Sequence, residues 1–136
     1  MNKNRQVDTI TIACAADIVA ARQQGRDLAL ELGFSSTEST FVATAISELS
    51  RNIVRYANRG ELRVQPVTNG SMRGIKIVAA DSGPGIPDIR RAMMGGYSTS
   101  GGLGLGLSGV RRLMDDMDVQ SEPGEGTIVT ATKWQR

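Results

Sequence analysis

The chain contains no histidine. That removes a phospho-accepting imidazole and any metal site built on imidazole nitrogen. Its one cysteine, Cys14, has no partner for an internal disulfide and points to a reducing compartment, the cytoplasm. Lysine is scarce too. Lys3, Lys76 and Lys133 are the whole set, and none stands in a G-x-x-x-x-G-K-[ST] frame, so a Walker P-loop is excluded. No apolar run approaches the roughly 20 residues of a membrane-spanning helix. The opening Met1-Asn2-Lys3-Asn4-Arg5 leads into no long apolar stretch, so no secretory signal and no membrane attachment are expected. An excess of one charge is also missing. A formal charge of +2 does not call for a nucleic-acid partner.

What is present describes one soluble domain over residues 1–136. A hydrophobic share of 40% and a charged share of 22% are those of a globular chain rather than a disordered one. The length allows one core and not two. Val7 to Cys14, rich in Thr and Ile, reads as a strand. Asp17 as N-cap and Gly33 as C′ residue bracket a helix with Ile18, Ala21, Leu28 and Leu32 on one stripe and Gly25 as an internal weakness. Ser35-Ser36-Thr37-Glu38 has the form of a capping box. The helix it starts carries Val42, Ile46, Leu49, Ile53 and Tyr56 on one face to about Ala57, with Gly60 as its stop. Two antiparallel strands follow, Glu61 to Val67 and Gly74 to Ala80, around an Asn69-Gly70 turn. Pro87 opens a short helix through Met94, and Gly95 to Gly104 is a loop of small residues. Leu105 to Asp116 reads as a helix, and Val119 to Glu122 with Thr127 to Trp134 as a final hairpin. The order predicts a two-layer α/β (α+β) sandwich, a mainly antiparallel sheet with helices on one face.

Three segments carry chemistry. Glu48 and Asn52 lie four residues apart on the second helix, hence on one side of it. Each sits about 100° from the Leu49–Ile53 stripe, at the border of core and solvent. An amide oxygen suits Mg²⁺, and a carboxylate one turn back can take a proton from a hydroxyl or orient a metal-bound water. The same pair also fits a polar helix edge with ordinary contacts. Asp81 ends a strand where the chain turns at Gly83-Pro84-Gly85. There its carboxylate can accept from an exocyclic amine of a purine, or cap the turn. Pro84 argues for a loop of fixed shape. Finally, Gly104-x-Gly106-x-x-Gly109 matches a dinucleotide fingerprint by letter. No strand precedes it and no βαβ unit follows, so that reading is rejected. Backbone amides at the start of a helix still offer a phosphate cradle, and a connector before a helix is the plainer alternative. Thr127, after Gly124-Glu125-Gly126, offers a hydroxyl to a base edge or is an ordinary strand residue.

In this order, the segments resemble the GHKL (Bergerat-fold) ATPase and kinase family. Glu48 and Asn52 match its N box, Asp81-Ser82-Gly83-Pro84-Gly85-Ile86 its G1 box, and Gly102-Leu103-Gly104-Leu105-Gly106-Leu107 its G2 box. Within the family the likeness is to the small serine/threonine switch kinases of stressosome-type signalling. It extends to Asp17-Ile18-Val19-Ala20-Ala21-Arg22-Gln23, Ser98-Thr99-Ser100-Gly101-Gly102 and Gly124-Glu125-Gly126-Thr127. The resemblance implies that Asn52 ligates Mg²⁺, Glu48 is the base for a seryl or threonyl hydroxyl, and Asp81 pairs with the adenine amine. It implies that Gly83 and Gly85 shape the base pocket. Gly101, Gly102, Leu103, Gly104, Leu105, Gly106 and Leu107 would wrap the triphosphate of ATP, and Thr127 would approach the base through water. The implied partners are STAS-domain scaffold or antagonist proteins as substrates and a PP2C-type phosphatase. A nucleotide-dependent anti-sigma factor, or a binding switch without chemistry, is the alternative. A short lid without a longer insertion departs from the anti-sigma kinases. The missing acceptor histidine departs from histidine kinases.

Overall fold

Strand β1 (Asp8–Ile12) leads into helices α1 (Ala15–Glu31) and α2 (Ser36–Asn52) and then a hairpin of β2 (Gly60–Asn69) and β3 (Met72–Asp81). A short helix, α3 (Leu107–Leu113), precedes a second hairpin of β4 (Asp116–Glu122) and β5 (Gly126–Trp134). The computed structural model describes residues 8–85 and 106–135. The expected helix from Pro87 to Met94 and the loop Gly95 to Gly104 lie outside the described residues, as do Gly101, Gly102, Leu103, Gly104 and Leu105.

The strands form one sheet in the order β1-β2-β3-β5-β4, and every pairing among them is antiparallel. Alternation along the strands divides the two faces. Leu62, Val64, Ile75, Ile77, Ala79, Val129 and Ala131 point inward and are buried. Glu61 and Arg63 point to solvent. The helices supply the other half of the core with Leu28, Val42, Ile46, Leu49 and Val110. Each such aliphatic side chain contributes about 1.5–3 kcal/mol by leaving water, so this layer holds the two halves of the sandwich together. The α+β reading is borne out. Among the described residues, no helix is long and apolar enough to cross a membrane.

The local signals act as expected at most ends and differ at five places. Ser35 and Glu38 form the capping box, with the Glu38 N–H donating to the Ser35 hydroxyl at 3.0 Å and the Ser35 N–H to Glu38 Oε1 at 3.3 Å. Gly33, at φ +96°, closes α1, with Phe34 N–H donating to Ala29 O and Gly33 N–H to Leu30 O. The N-cap of α1, however, is Cys14 rather than Asp17. Asp17 stands inside the first turn and its Oδ2 reaches back to the Ala13 N–H at 2.9 Å. Helical backbone runs on past α2 to Ala57, as expected, but its last turn is not α-helical. It widens into a π-helical turn, Ile53–Ala57, and reverses at Asn58, whose φ of +69° an Asn tolerates better than most residues. Gly60 instead begins β2. The hairpin tip is Gly70-Ser71, one residue beyond the expected turn, because Asn69 still pairs with Met72. Helix α3 stops at Leu113, short of Asp116. Met114 is already extended, the Asp115 N–H bonds to Thr132 O, and Asp116 opens β4. The last strand pair is therefore longer at its start than Val119–Glu122.

Gly25 has a use that its helix propensity hides. A Cβ there would run into Ile46 Cδ1, so the missing side chain lets α1 lie close against α2 at the Ile46 side chain.

Candidate functional site

The site is built on a single row across the inner face of the sheet. The registers Ile12↔Gly60, Gly60↔Asp81, Asp81↔Thr127 and Ser121↔Thr127 place these five residues side by side. Ile12 fills one end of the row with hydrocarbon. Gly60 leaves a gap beside it. A Cβ on Gly60 would press on Ile53 Cγ2 at 2.9 Å and on the Asp81 Cβ at 3.1 Å, so Asp81 stands directly under the turn that follows Asn52.

Asp81 carries two roles at once. Its Oδ1 accepts from the Gly83 N–H at 2.8 Å, which holds the turn after β3. Its Oδ2 has no hydrogen-bond partner among the described residues, and the side chain is only partly buried. The turn-capping and ligand-accepting readings are therefore compatible, one oxygen to each. The loop is also fixed from outside. Gly83 packs so closely on Ala57 that a Cβ would sit 2.6 Å from the Ala57 Cβ. Pro84 O accepts from the Gly124 N–H at 2.8 Å, which ties the loop to the β4–β5 turn. Gly126, at φ +97°, crosses the Asp81 carbonyl where any Cβ would collide with it.

Thr127 is 9% exposed, and its Oγ1 lies 2.9 Å from the hydroxyl of Ser121. Ser121 Oγ in turn donates to Gly126 O at 3.0 Å. Ser121 is the residue that motif reading missed. A serine in a short strand gives no signal in the sequence until register sets it opposite Thr127. Asp81, Ser121, Gly126 and Thr127 line one open cavity of about 1130 Å³ together with Ala57 and Gly60. That is room for a nucleotide-sized ligand.

Glu48 and Asn52 are not among the described residues lining that cavity. They stand on the neighbouring edge of α2, partly exposed as their helical position requires, beside the buried Leu49 and Ile53. Glu48 pairs with Arg51 at 2.6 Å, an exposed contact between residues three apart. Its carboxylate rests against Gly106, whose φ of +72° and absent side chain leave it room; a Cβ there would meet Glu48 Oε1. The start of α3, Gly106 and the buried Leu107, thus meets the N-terminal half of the pair. The two groups of residues are joined through the π-helical turn, since Ile53 touches Gly60's neighbourhood and Ala57 lines the cavity.

The donor chemistry bears on a metal. Among the described residues no group of three or more His, Cys, Asp or Glu gathers to hold an ion. One amide oxygen with a carboxylate a turn away is instead the kind of set Mg²⁺ uses when phosphate oxygens and water complete its shell.

Comparison with known proteins gives the family. Residues 37–136 match the family described as histidine kinase-, DNA gyrase B- and HSP90-like ATPase. The chain is 55% identical over 120 residues to the serine/threonine-protein kinase RsbT of Bacillus subtilis (strain 168), covering 88% of this chain and 90% of that one. It is 31% identical over 112 residues to an anti-sigma F factor of Thermoanaerobacter sp. (strain X514), covering 78% and 77%. It is 26% identical to the sensor protein BceS of Bacillus subtilis (strain 168), over 79% of this chain but 35% of that one. Likeness of that extent, carried on an antiparallel sheet with helices on one face, makes this chain a member of the histidine kinase-, DNA gyrase B- and HSP90-like (GHKL) ATPase family and an ATP-using enzyme of the kinase kind.

Proposed function

We propose that the chain transfers the γ-phosphoryl group of Mg-ATP to a serine or threonine hydroxyl of a STAS-domain partner in a cytoplasmic stress-response switch. Once released from that partner, it binds and activates a PP2C-type phosphatase. The observation that supports this most is the row in which Asp81 and Thr127 lie side by side below the end of α2. Asp81 accepts from the adenine amine through Oδ2. Gly83 and Gly85 shape the base pocket by letting the loop pack closely on Ala57 and on the Glu122 backbone. Thr127 takes the base edge through water. Asn52 offers its amide oxygen to the metal, and Mg²⁺, when bound, neutralises charge on the phosphate oxygens. The backbone of Gly101, Gly102, Leu103, Gly104 and Leu105, with Gly106 and Leu107, wraps the triphosphate. Glu48 aligns the acceptor hydroxyl and receives its proton. The identity to a kinase over nearly the whole chain supports transfer rather than hydrolysis.

A second reading is a nucleotide-dependent binding switch of the anti-sigma kind, favoured by the relatives that carry that name. Incubation with γ-labelled ATP and a STAS-domain protein separates the two. Label on a Ser or Thr of the partner is the expected result. Tight, nucleotide-dependent binding of a sigma factor without label would replace the kinase reading by the switch.

A further inference from the structure

We propose that Lys133 is a positioning residue for the Glu48 carboxylate, acting through α3. The inference rests on the phosphoryl transfer proposed above. Lys133 follows Val129 and Ala131 on the inner face of β5, opposite Ile75, and is only 8% exposed. An ammonium group so placed needs compensating contacts. Its Nζ donates to Leu113 O at 2.9 Å and lies 5.4 Å from the centre of the Phe41 ring on α2. Leu113 is the last residue of α3, where carbonyls lack an intrahelical partner and a cation is favoured. A helix of seven residues does not hold itself, so its place depends on what grips it. The other end of α3 begins at Gly106, which abuts the Glu48 carboxylate. Phe41 and Glu48 stand two turns apart on one side of α2, and α3 spans about the same 10 Å. The short helix therefore bridges those two turns, gripped through Lys133 at the Phe41 end and resting on Glu48 at the other. Leu107 and Val110 bury its inner side, but apolar contact is non-directional. The Asp115 N–H bond to Thr132 O fixes the chain after α3, whereas the directional bond from Lys133 reaches the helix itself. Glu48 has Arg51 on one side and Gly106 on the other, so a shift of α3 moves the carboxylate.

Two measurements on the full chain read the effect: single-turnover transfer from γ-labelled Mg-ATP to a STAS-domain protein, and calorimetric titration with ADP. Lys133→Met keeps the apolar stem and removes the charge. Transfer at saturating ATP should fall about tenfold, the scale on which small displacements of a reacting group are felt. ADP affinity should stay within about twofold, because Lys133 is not among the described residues lining the cavity. Lys133→Arg, which can still donate to a carbonyl and lie over a ring, should recover most of the transfer. In a Glu48→Gln background, Lys133→Met should cost no further transfer, because the group it positions is already gone. A merely structural role would weaken transfer and ADP binding together, and by the same factor in both backgrounds. That pattern, undiminished transfer by Lys133→Met, or no recovery with Lys133→Arg overturns the inference. Should Lys133→Met fail to fold, Phe41→Leu tests the same grip at a partly exposed helix position. Transfer should then fall about threefold, and undiminished transfer again overturns the inference. Loss of transfer in Glu48→Gln but not in Lys133→Met overturns only the role of Lys133. Full transfer by Glu48→Gln, or a wild type that labels no STAS-domain protein, overturns the proposed reaction and the role of Lys133 with it.

Discussion

Glu48 and Asp81 are both carboxylates, but their surroundings differ. Glu48 lies at a helix edge with an exposed arginine beside it. Replacing it by glutamine keeps the shape that fits against Gly106 and forfeits less than about 1 kcal/mol from the exposed ion pair. Glu48→Gln should therefore bind ADP as the wild type does while phosphoryl transfer falls at least about a hundredfold, the usual contribution of a positioned base. Undiminished transfer in a single-turnover assay would remove Glu48 from that role. Asp81→Asn is a different experiment. Its carbonyl can still accept from the Gly83 N–H, so the turn survives, but its amide nitrogen now faces a ligand amine where Oδ2 stood. Affinity for ADP should drop about 10- to 100-fold, with the melting temperature nearly unchanged. Unaltered affinity by titration would refute the adenine contact. Both residues stand out in the sequence, since an acid four positions before an amide and an acid before Gly-Pro-Gly are local patterns. Ser121 does not, because its meaning comes from a partner six residues away across a strand pair.

Elements tell a similar story about where local signals stop. The capping box of α2 and the left-handed Gly33 after α1 are short-range chemistry, and each acts where the sequence placed it. Gly25 misleads when read in isolation. As an interior helix residue it costs about 1 kcal/mol against alanine, yet alanine would meet the fully buried Ile46. Overpacking of that kind outweighs the gain in propensity, so Gly25→Ala should destabilise the fold by roughly 1–2 kcal/mol, read as a lower midpoint in urea with an unchanged slope. A midpoint at or above the wild-type value would show that Ile46 moves aside without loss. The end of α3 and the π form of the last turn before Asn58 depart from the sequence reading for one reason. Helical periodicity continues in the sequence past Asn52 and Leu113, but the backbone there answers to packing. The π-helical turn seats Ile53 and Ala57 over Gly60 and Gly83, and Asp116 leaves the helix pattern to pair with Thr132.

For the molecule as one body, ligand and fold are linked because the cavity borders β2, β3, β4 and β5 at once. A nucleotide bound there stabilises only the folded chain. At a hundredfold excess over its dissociation constant, ADP should add about 2.7 kcal/mol and raise the melting temperature by roughly 10 °C. Asp81→Asn should lose most of that rise at the same ADP concentration, and a wild-type chain whose melting is indifferent to ADP would count against the site. Composition and pattern sufficed for the class of fold, the capping box of α2 and the glycine that closes α1, because these depend on neighbours within a few positions of each other. The row Ile12–Gly60–Asp81–Thr127–Ser121 came only with the assembled sheet. Its members lie one on each of the five strands, and strand register, set by burial of the whole inner face, is what brings an unremarked serine beside the threonine at the end of that row.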